Sequence, residues 1–298
     1  MALKAVFSAL KKEGYIIKDL DLYLLSLSAT DGDRAIDVNA PSQAGVCMRA
    51  RYYARTGAER DVGSVDARTR RIFDNGTKTH ERLQEYLKEQ GMLLMDEVPV
   101  YNKEYNIQGH TDGVLQLSAS ERGILEIKSI NSNGFSALKS AKEEHKKQGL
   151  IYIFCLESRR KELHELYATR EAFDKSFKKR LKDYAKLYQH LKDGHKHTRE
   201  EKIEFQCSLH AEMDSLLYDT KVPITKAVFL YENKDTQDLK EFTVSMTDSE
   251  AKVILKGVLD EYKTINEYVA KKSLPPREGH CKSDNLCRWC SFKTECWC

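Results

Sequence analysis

Residues 109–128 read GHTDGVLQLSASERGILEIK, a stretch that predicts two β-strands joined by a short turn. Because side chains alternate between the faces of a strand, Glu126 and Lys128 point the same way, and the apolar residue before each points the other way. A hairpin that returns from Asp112 brings its carboxylate beside Glu126. Two converging carboxylates suit Mg²⁺ or Mn²⁺, which bind oxygen ligands and keep open positions for water.

The same stretch also fits an ordinary hairpin that carries an exposed Glu-Lys pair, because such pairs are common in hairpins. In the functional interpretation, Lys128 orients or activates a metal-bound water, or holds a phosphate oxygen. The stretch alone leaves both interpretations open, and the rest of the chain must decide between them.

The composition is that of a globular protein with a highly charged surface, since 41% of the 298 residues are hydrophobic and 32% are charged. A formal net charge of +3 neither requires nor excludes nucleic acid. No uninterrupted apolar run of roughly eighteen residues predicts a transmembrane helix, and the lysine-interrupted N-terminus does not resemble a signal peptide. We therefore expect a reducing intracellular compartment, where the eight cysteines are metal ligands or core residues.

The strongest helix signal covers residues 64–90, where Ser64 can cap the start and Gly91 can end the helix. Gly76 lies inside this helix, where glycine costs about 1 kcal/mol relative to alanine. It therefore predicts either a group that approaches the backbone closely or a bend. His80 follows one turn later on the same side. Alone it fits a surface or hydrogen-bonded core histidine, but beside two carboxylates its imidazole would complete a divalent-metal site.

Strands and helices alternate around the opening stretch. The sequence predicts a meander of four short strands, at residues 97–101, 105–109, 112–117 and 123–128. From about Phe135 the apolar period becomes helical, and Gln148 and Tyr152 lie one turn apart on one face. That face is either solvated, with a tyrosine at its edge, or a polar row at the lip of a metal site. Two later strands and a long final helix are predicted at residues 225–231, 240–244 and 249–271.

Residues 157–200 are highly charged and are predicted to be helical, followed by another helix at 200–220. Between Glu157 and Lys186 there are ten Lys or Arg residues and six Asp or Glu residues. The first interpretation is a solvated helical hairpin, and the second is a lobe that faces nucleic acid.

Five of the eight cysteines lie in the last eighteen residues, CKSDNLCRWCSFKTECWC. Cys287 and Cys290 form a C-x-x-C pair, which lets two thiolates hold one metal centre. A local zinc site could add Cys281 and Cys296 to this pair. An iron–sulfur cluster also needs four thiolates, and one of them can come from a distant part of the chain. Cys47, far upstream, fits a buried and inert residue when it is considered alone.

Taken together, these motifs resemble the RecB-like branch of the PD-(D/E)XK nucleases. That branch carries a helix His, G-h-x-D, E-h-K and Q-x-x-x-Y in this order, and the matching residues here are His80, Asp112, Glu126 to Lys128, and Gln148 with Tyr152. One upstream cysteine plus a C-terminal C-x-x-C-x5-C resembles the iron–sulfur subgroup, which includes the CRISPR-associated exonuclease of the Cas-four type and the nuclease domain of AddB. The resemblance covers residues 40–155 and 225–298.

The resemblance implies an α/β fold with a restriction-endonuclease-like core, in which helices flank a central mixed sheet. The implied order is an N-terminal helical region that contributes Cys47, the nuclease core, a charged helical insert, the remaining core strands and helix, and a cysteine-rich iron–sulfur region. The expected boundaries are 1–63, 64–156, 157–224, 225–272 and 273–298.

The implied activity is that of a metal-dependent DNA exonuclease that prefers single-stranded ends. The implied ligands of Mg²⁺ or Mn²⁺ are His80, Asp112, Glu126 and the carbonyl of Ile127. The implied catalytic residues are Asp112, Glu126, Lys128, Gln148 and Tyr152, of which the last two help to position the DNA strand and the active site. A four-iron four-sulfur cluster would be held by Cys47, Cys287, Cys290 and Cys296.

The resemblance also bears on partners. It implies DNA as the substrate, with a second copy of the chain or a recombination or CRISPR protein as further partners and no membrane. The implied location is the cytoplasm of a bacterium, an archaeon or a phage-infected host. Two alternatives stay open: Cys281 could replace Cys47 as a cluster ligand, or the chain could be a zinc-stabilised nucleic-acid-binding protein without catalysis.

Overall fold

The opening stretch forms a β-hairpin at the centre of a five-stranded mixed sheet. A computed structural model describes residues 15–27, 35–61, 66–194, 196–278, 285–288 and 290–297. The strands are β1 (Leu93–Asn102), β2 (Ile107–Ser118), β3 (Glu121–Ile130), β4 (Ile224–Asn233) and β5 (Leu239–Ser245). Helices flank this sheet, which confirms the predicted α/β fold class.

The sheet order is β1-β2-β3-β4-β5, and only the β3–β4 pair is parallel. A parallel pair needs a long crossover connection, because the chain must return to the same end of the sheet. The connection here includes a helix that lies against the sheet. A helix before β1 and this crossover helix give the order α-β-β-β-α-β, which is compatible with a restriction-endonuclease-like core.

The helices are α1 (Tyr15–Leu27), α2 (Met48–Thr56), α3 (Ala67–Glu89), α4 (Ser132–Ala137), α5 (Glu143–Leu166), α6 (Arg170–Lys175), α7 (Phe177–Leu187), α8 (Arg199–Asp219), α9 (Ser249–Ala270), α10 (Asn285–Arg288) and α11 (Lys293–Trp297). The start of α3 is capped by Asp66, whose carboxylate accepts the Thr69 amide at 2.6 Å. Ser64, the predicted cap, lies outside the described residues. Gly91 follows α3 with a φ of +72°, the left-handed conformation that favours glycine.

The predicted four-strand meander is wrong, because residues 105–109 and 112–117 belong largely to one continuous strand, β2. The glycines within β2 allow close packing against neighbouring segments. A Cβ on Gly109 would lie 2.8 Å from Pro41 Cδ. A Cβ on Gly113 would lie 2.4 Å from Leu93 Cδ1 and 2.9 Å from the carbonyl oxygen of Met95.

Each face of the sheet packs against one long helix. Leu83 of α3 packs with Leu125 and Ile127 of β3 on one face. On the other face, α5 brings Ile151 into the main core, where Gly149 lets the Phe229 ring approach the helix backbone. This packing places His80, in the middle of α3, near Asp112 of β2, and Gln148, at the beginning of α5, near Lys128 of β3.

The charged segment after the core is anchored by α5, which runs without a break across the predicted boundary at residue 156. Arg159 of α5 makes two hydrogen bonds of 2.8 Å to Asp214 of α8 and donates to the Tyr184 hydroxyl of α7 at 2.7 Å. All three side chains are buried. This part of the segment is therefore packed against the core through a buried ionic network, so a fully solvated hairpin does not describe it.

The described part of the C-terminal region packs against α2. The Met48 amide donates to Glu278 at 2.6 Å, and Arg49 donates to the Pro275 carbonyl at 2.8 Å. Farther along, the Thr294 amide donates to Asp61 at 2.8 Å. Among the described residues, none of the helices is both long and apolar enough to cross a membrane.

Candidate active site and cysteine region

Asp112 and Glu126 meet where β2 and β3 run side by side. They lie one residue beyond the Gly113–Leu125 pair of the antiparallel register, so their side chains share a face. Asp112 Oδ2 accepts the Ile127 amide at 2.5 Å. Glu126 Oε1 lies 2.5 Å from the ammonium of Lys128. The hairpin therefore holds two acids and one base together through short-range contacts.

His80 reaches the same place from α3. Its Nδ1 lies 3.3 Å from Asp112 Oδ1. Burial of the ring lowers its pKa, but the hydrogen bond and the charge of Asp112 outweigh this effect, so the pKa is raised above the ordinary value for histidine. The structure thus brings together the imidazole, both carboxylates and the ammonium that the sequence singles out.

Glu126 is the most unusual ionisable group in this site. Its side chain is only 3% exposed, and its Oε2 is buried without a hydrogen-bond partner. Burial raises its pKa to about 8, and the nearby charge of Asp112 acts in the same direction. Nearby positive charge stabilises the charged form of a buried carboxylate that lies beside a second acid. Lys128 supplies such a charge only at Oε1.

Gln148 and Tyr152 lie beneath this group and not at the lip of the site. Both are buried, so the interpretation of their helix face as solvated is wrong. The Gln148 amide donates to the Tyr152 hydroxyl at 2.8 Å, and its oxygen accepts from Lys128 at 3.3 Å. Burial raises the pKa of Tyr152 well above its ordinary value, so the hydroxyl stays neutral. Tyr152 thus contacts Gln148, and Gln148 contacts the ammonium of Lys128.

Three contacts around the site involve residues that the sequence analysis did not single out. Gln84, one turn after His80, donates to the Asp112 carbonyl at 2.8 Å and to Glu97 at 3.2 Å. Its spacing on α3 could have identified it. Tyr231 of β4 lies 2.6 Å from His145 Nδ1. No local sequence signal connects these two, because the contact depends on the parallel β3–β4 pairing.

A cleft of about 1000 Å³ opens beside the site. His80 and Asp112 border it, together with Gly76 and other residues of α3. No protein atom of the described residues approaches Gly76, since a Cβ added there would meet nothing within 4 Å. The described residues therefore supply no group that packs on Gly76, and the glycine faces open space.

The donors at this site suit a divalent cation, although no preformed shell exists in the described residues: no three His, Cys, Asp or Glu side chains there are already grouped to hold a metal ion. The contacts explain why. Both oxygens of Asp112 and one oxygen of Glu126 face donors of the protein itself. The Oε2 of Glu126 has no partner, and the raised pKa means that the charged carboxylate is favoured only when positive charge lies nearby, which is the chemistry of an oxygen ligand for a cation.

The predicted iron–sulfur cysteines come from both ends of the chain. Cys47, Cys290 and Cys296 pack against one small apolar cluster that contains Tyr53 and Phe292. The Phe292 amide lies 3.4 Å from Cys290 Sγ, and the Cys290 amide donates to the Cys287 carbonyl at 3.2 Å. No described cysteine forms a disulfide.

The pKa of the Cys47 thiol is affected by burial and by charged neighbours in the C-terminal region. Burial raises the pKa of its thiol, and the charges of Glu278 and Cys290 act in the same direction. The cysteines that the structure describes do not form a ready-made metal group, but these thiols and their apolar surroundings fit a thiolate-bound centre. Cys281, Cys298 and Trp289 lie outside the described residues, so the exchange of Cys281 for Cys47 stays open.

Comparisons with known proteins add little to this description. No protein-family model matches the chain, and no curated protein matches it. Among solved structures, one described as "Crystal structure of SSO0001" is 14% identical over 94% of this chain and 95% of the other, with a TM-score of 0.44. The fold assignment accordingly follows from the strand order and pairing described above.

Proposed function

We propose that the protein is a DNA nuclease that hydrolyses phosphodiester bonds with Mg²⁺ or Mn²⁺. The observation that carries this proposal is the convergence of His80, Asp112 and Glu126 beside Lys128, at the border of an open cleft. A buried carboxylate that lacks a partner at one oxygen lowers the stability of the fold, and ionisable groups of this kind are concentrated at functional sites. The resemblance of the motifs to RecB-like nucleases supplies the reaction type.

The residues divide the work by charge. His80, Asp112 and Glu126 would hold the ion, with the Ile127 carbonyl as a further oxygen ligand. When bound, Mg²⁺ or Mn²⁺ acidifies water and offsets negative charge on the phosphate. Lys128 would orient the attacking water and stabilise the charge that develops on the phosphate oxygens. Gln148 fixes the Lys128 ammonium, and Tyr152 fixes Gln148, so both act as positioning residues.

We extend the proposal to an exonuclease that prefers single-stranded ends and to a four-iron four-sulfur cluster on Cys47, Cys287, Cys290 and Cys296. Support for the cluster comes from the shared apolar surroundings of Cys47, Cys290 and Cys296. Because hydrolysis transfers no electrons, the cluster would have a structural role. It would tie the C-terminal region to α2, where hydrogen bonds already connect the two segments.

The test compares Glu126→Gln and Lys128→Ala with the parent protein on end-labelled single-stranded DNA, with Mg²⁺ or Mn²⁺ present. Each change should reduce hydrolysis at least a hundredfold, because each removes a charge from the reacting centre. A matched control is the half-buried pair Glu121–Lys226, joined at 2.7 Å on the same sheet. Glu121→Gln and Lys226→Ala should leave hydrolysis unchanged.

Two results would contradict the proposal. Unchanged metal-dependent hydrolysis in Glu126→Gln would show that the reaction occurs elsewhere. A parent protein that binds DNA, contains zinc and hydrolyses nothing with either metal would favour the non-catalytic nucleic-acid-binding alternative.

A further inference from the structure

One face of α3 borders the cleft for several turns. Phe73, Gly76 and His80 are spaced three and four residues apart, so they lie in one row on the helix, and all three border the cleft. The row ends at Gln84, whose side-chain amide donates a hydrogen bond of 2.8 Å to the carbonyl oxygen of Asp112. The cleft therefore leads along this helix face to the candidate metal site.

Phe73 offers an exposed aromatic ring at the cleft, which its neighbour Ile72 also borders. Its side chain is 57% exposed. Single exposed apolar residues are common on protein surfaces, so exposure alone carries no meaning. What distinguishes Phe73 is its position, two helical turns before His80 and on the same face. At 1.5 Å per residue the two are roughly 10 Å apart along the helix, which is about three nucleotides at the stacked rise of one strand.

Gly76 leaves room between the aromatic ring and the histidine. A Cβ there would meet nothing within 4 Å, so the packing of the described residues does not require glycine at this position. Glycine in a helix interior nevertheless weakens the helix relative to alanine. A DNA strand that crosses the helix at this point would occupy the space that a side chain at residue 76 would fill.

The charges that border the cleft are divided along α3. Arg68 and Arg71 precede Phe73 on the helix, and Lys234 also borders the cleft. The bordering acids lie at or beyond the His80 end of the helix face; they are Glu81, Asp96, Glu97 and Asp112. Arg71 also forms an ion pair with Asp21 of α1, which connects α1 to this part of α3. Two arginines close to an exposed aromatic ring are a combination that can bind a single strand, because backbone charge and base stacking act together.

We propose that Phe73 stacks on a base of single-stranded DNA a few nucleotides from the bond that is cut, and that the strand crosses α3 over Gly76. This inference rests on the proposed nuclease function and deepens it, because it assigns the preference for single strands to a particular ring. A base inside a duplex is already stacked on its neighbours, so only an unpaired base can use Phe73.

The first experiment measures binding of fluorescently labelled oligothymidine and of a blunt duplex to Glu126→Gln protein, which binds without cutting. Adding Phe73→Ala should weaken single-strand binding about tenfold and leave duplex binding within twofold. Phe73→Tyr should restore the affinity, because it restores an aromatic face. The matched control is Phe205→Ala in α8, a ring that is 60% exposed and does not border this cleft.

The second experiment fills the space over Gly76. Gly76→Leu should raise the melting temperature, because leucine favours helix, and should weaken single-strand binding at least tenfold. The control is Gly257→Leu in α9, where an added Cβ also meets nothing within 4 Å. This control should raise the melting temperature in the same way and leave DNA binding unchanged.

The outcomes separate this inference from the proposed function. If the parent protein neither binds nor hydrolyses DNA, the proposed function fails. If the parent hydrolyses single strands while Phe73→Ala and Gly76→Leu bind them normally, only the inference fails. If Phe73→Ala instead changes the oligomeric state and leaves DNA binding unaltered, Phe73 belongs to a protein interface and the inference is also overturned.

Discussion

At the level of single side chains, the most informative group is the Glu126 carboxylate. It is buried beside a second acid, and Lys128 neutralises only one of its oxygens. An arrangement of this kind costs stability, and proteins retain such costs mainly where they serve a site. The sequence predicted the residues of this group, but it could not predict that Glu126 would lack a partner at one oxygen.

The support beneath Lys128 leads to the first prediction. Gln148→Ala removes the oxygen that accepts from the Lys128 ammonium at 3.3 Å. We expect kcat for single-stranded DNA to fall about tenfold with KM nearly unchanged, because the ammonium loses its fixed position while the cleft stays intact. Steady-state kinetics with saturating Mg²⁺ measure this split. A rise in KM at constant kcat would place Gln148 in substrate binding instead.

A second prediction concerns pH and a histidine far from the catalytic group. His210 of α8 is fully buried, and its Nε2 lies 3.0 Å from the Tyr188 hydroxyl. Burial lowers its pKa to about 3, and the charges of His110 and Arg159 act in the same direction. Below about pH 6.5 the His210 imidazole therefore binds a proton in the unfolded chain but not in the native state. The free energy of unfolding decreases as the pH falls through that range.

The comparison that tests this point uses His210→Gln, which keeps a hydrogen-bonding group near Tyr188. Between pH 7 and pH 4.5, the free energy of unfolding of the parent should fall by about 2–3 kcal/mol more than that of the variant. Urea unfolding at several pH values gives both curves. Parallel curves would mean that His210 takes up a proton in the native state as easily as in the unfolded chain.

At the level of helices and strands, the charged segment shows how far a sequence pattern reaches. The excess of basic residues after residue 157 suggested either a solvated hairpin or a lobe that faces nucleic acid. Two of those cations, Arg159 and Arg180, are buried and lie against Asp214. Charge counting cannot identify them, because their partner is far along the chain and is reached only through helix packing.

This network gives a third prediction. Asp214→Ala leaves two buried guanidinium groups without their carboxylate, so we expect a loss of about 3–5 kcal/mol in the free energy of unfolding. Urea denaturation measures the loss. As a control, Asp219→Ala removes an exposed carboxylate from the same helix, where it pairs with Arg170. That change should cost no more than about 1 kcal/mol. Equal costs would mean that the buried network does not anchor the segment.

The sequence predicted most of the elements, and its errors have physical causes. The long α3, α8 and α9 and the β4–β5 pair were predicted because their periodicity extends over many residues. The predicted break before Asp112 does not exist. Glycines 109 and 113 lie inside one continuous strand, where close packing against Pro41, Leu93 and Met95 requires them. A single sequence does not distinguish a turn glycine from a packing glycine.

The candidate site was predicted in part for a similar reason. His80, Asp112, Glu126 and Lys128 occur in short motifs, so their types and spacing were visible. Gln84 was visible only as a residue one turn from His80, and Tyr231 had no local signal at all. Contacts that depend on the pairing of distant elements become visible only once the fold is known.

At the level of the entire chain, α2 is connected to the described part of the C-terminal region. Hydrogen bonds to Glu278 and Pro275 and the packing of Phe292 against Tyr53 hold this connection, with the two ring centres 5.8 Å apart. An iron–sulfur cluster at this place would add metal–thiolate bonds between segments that are otherwise joined by a few hydrogen bonds and a small apolar contact.

The fourth prediction tests that role. Cys47→Ser should lower the iron content of the purified protein substantially and lower its melting temperature, because the cluster loses a ligand from α2. The matched control is Cys207→Ser, which changes a buried cysteine of α8 that packs away from this region. It should retain full iron content. Zinc in place of iron in the parent protein, or full iron content in Cys47→Ser, would contradict the assignment of Cys47 as a cluster ligand.

The most direct test of the proposed metal site is titration calorimetry of the DNA-free protein with Mn²⁺. We expect the parent to bind Mn²⁺ and Glu126→Gln and Asp112→Asn each to weaken that binding at least tenfold, because each removes a charged oxygen ligand. Glu121→Gln, on the same strand as Glu126, should bind Mn²⁺ like the parent. Equal Mn²⁺ affinity in the parent, Glu126→Gln and Asp112→Asn would contradict the claim that these carboxylates share an ion.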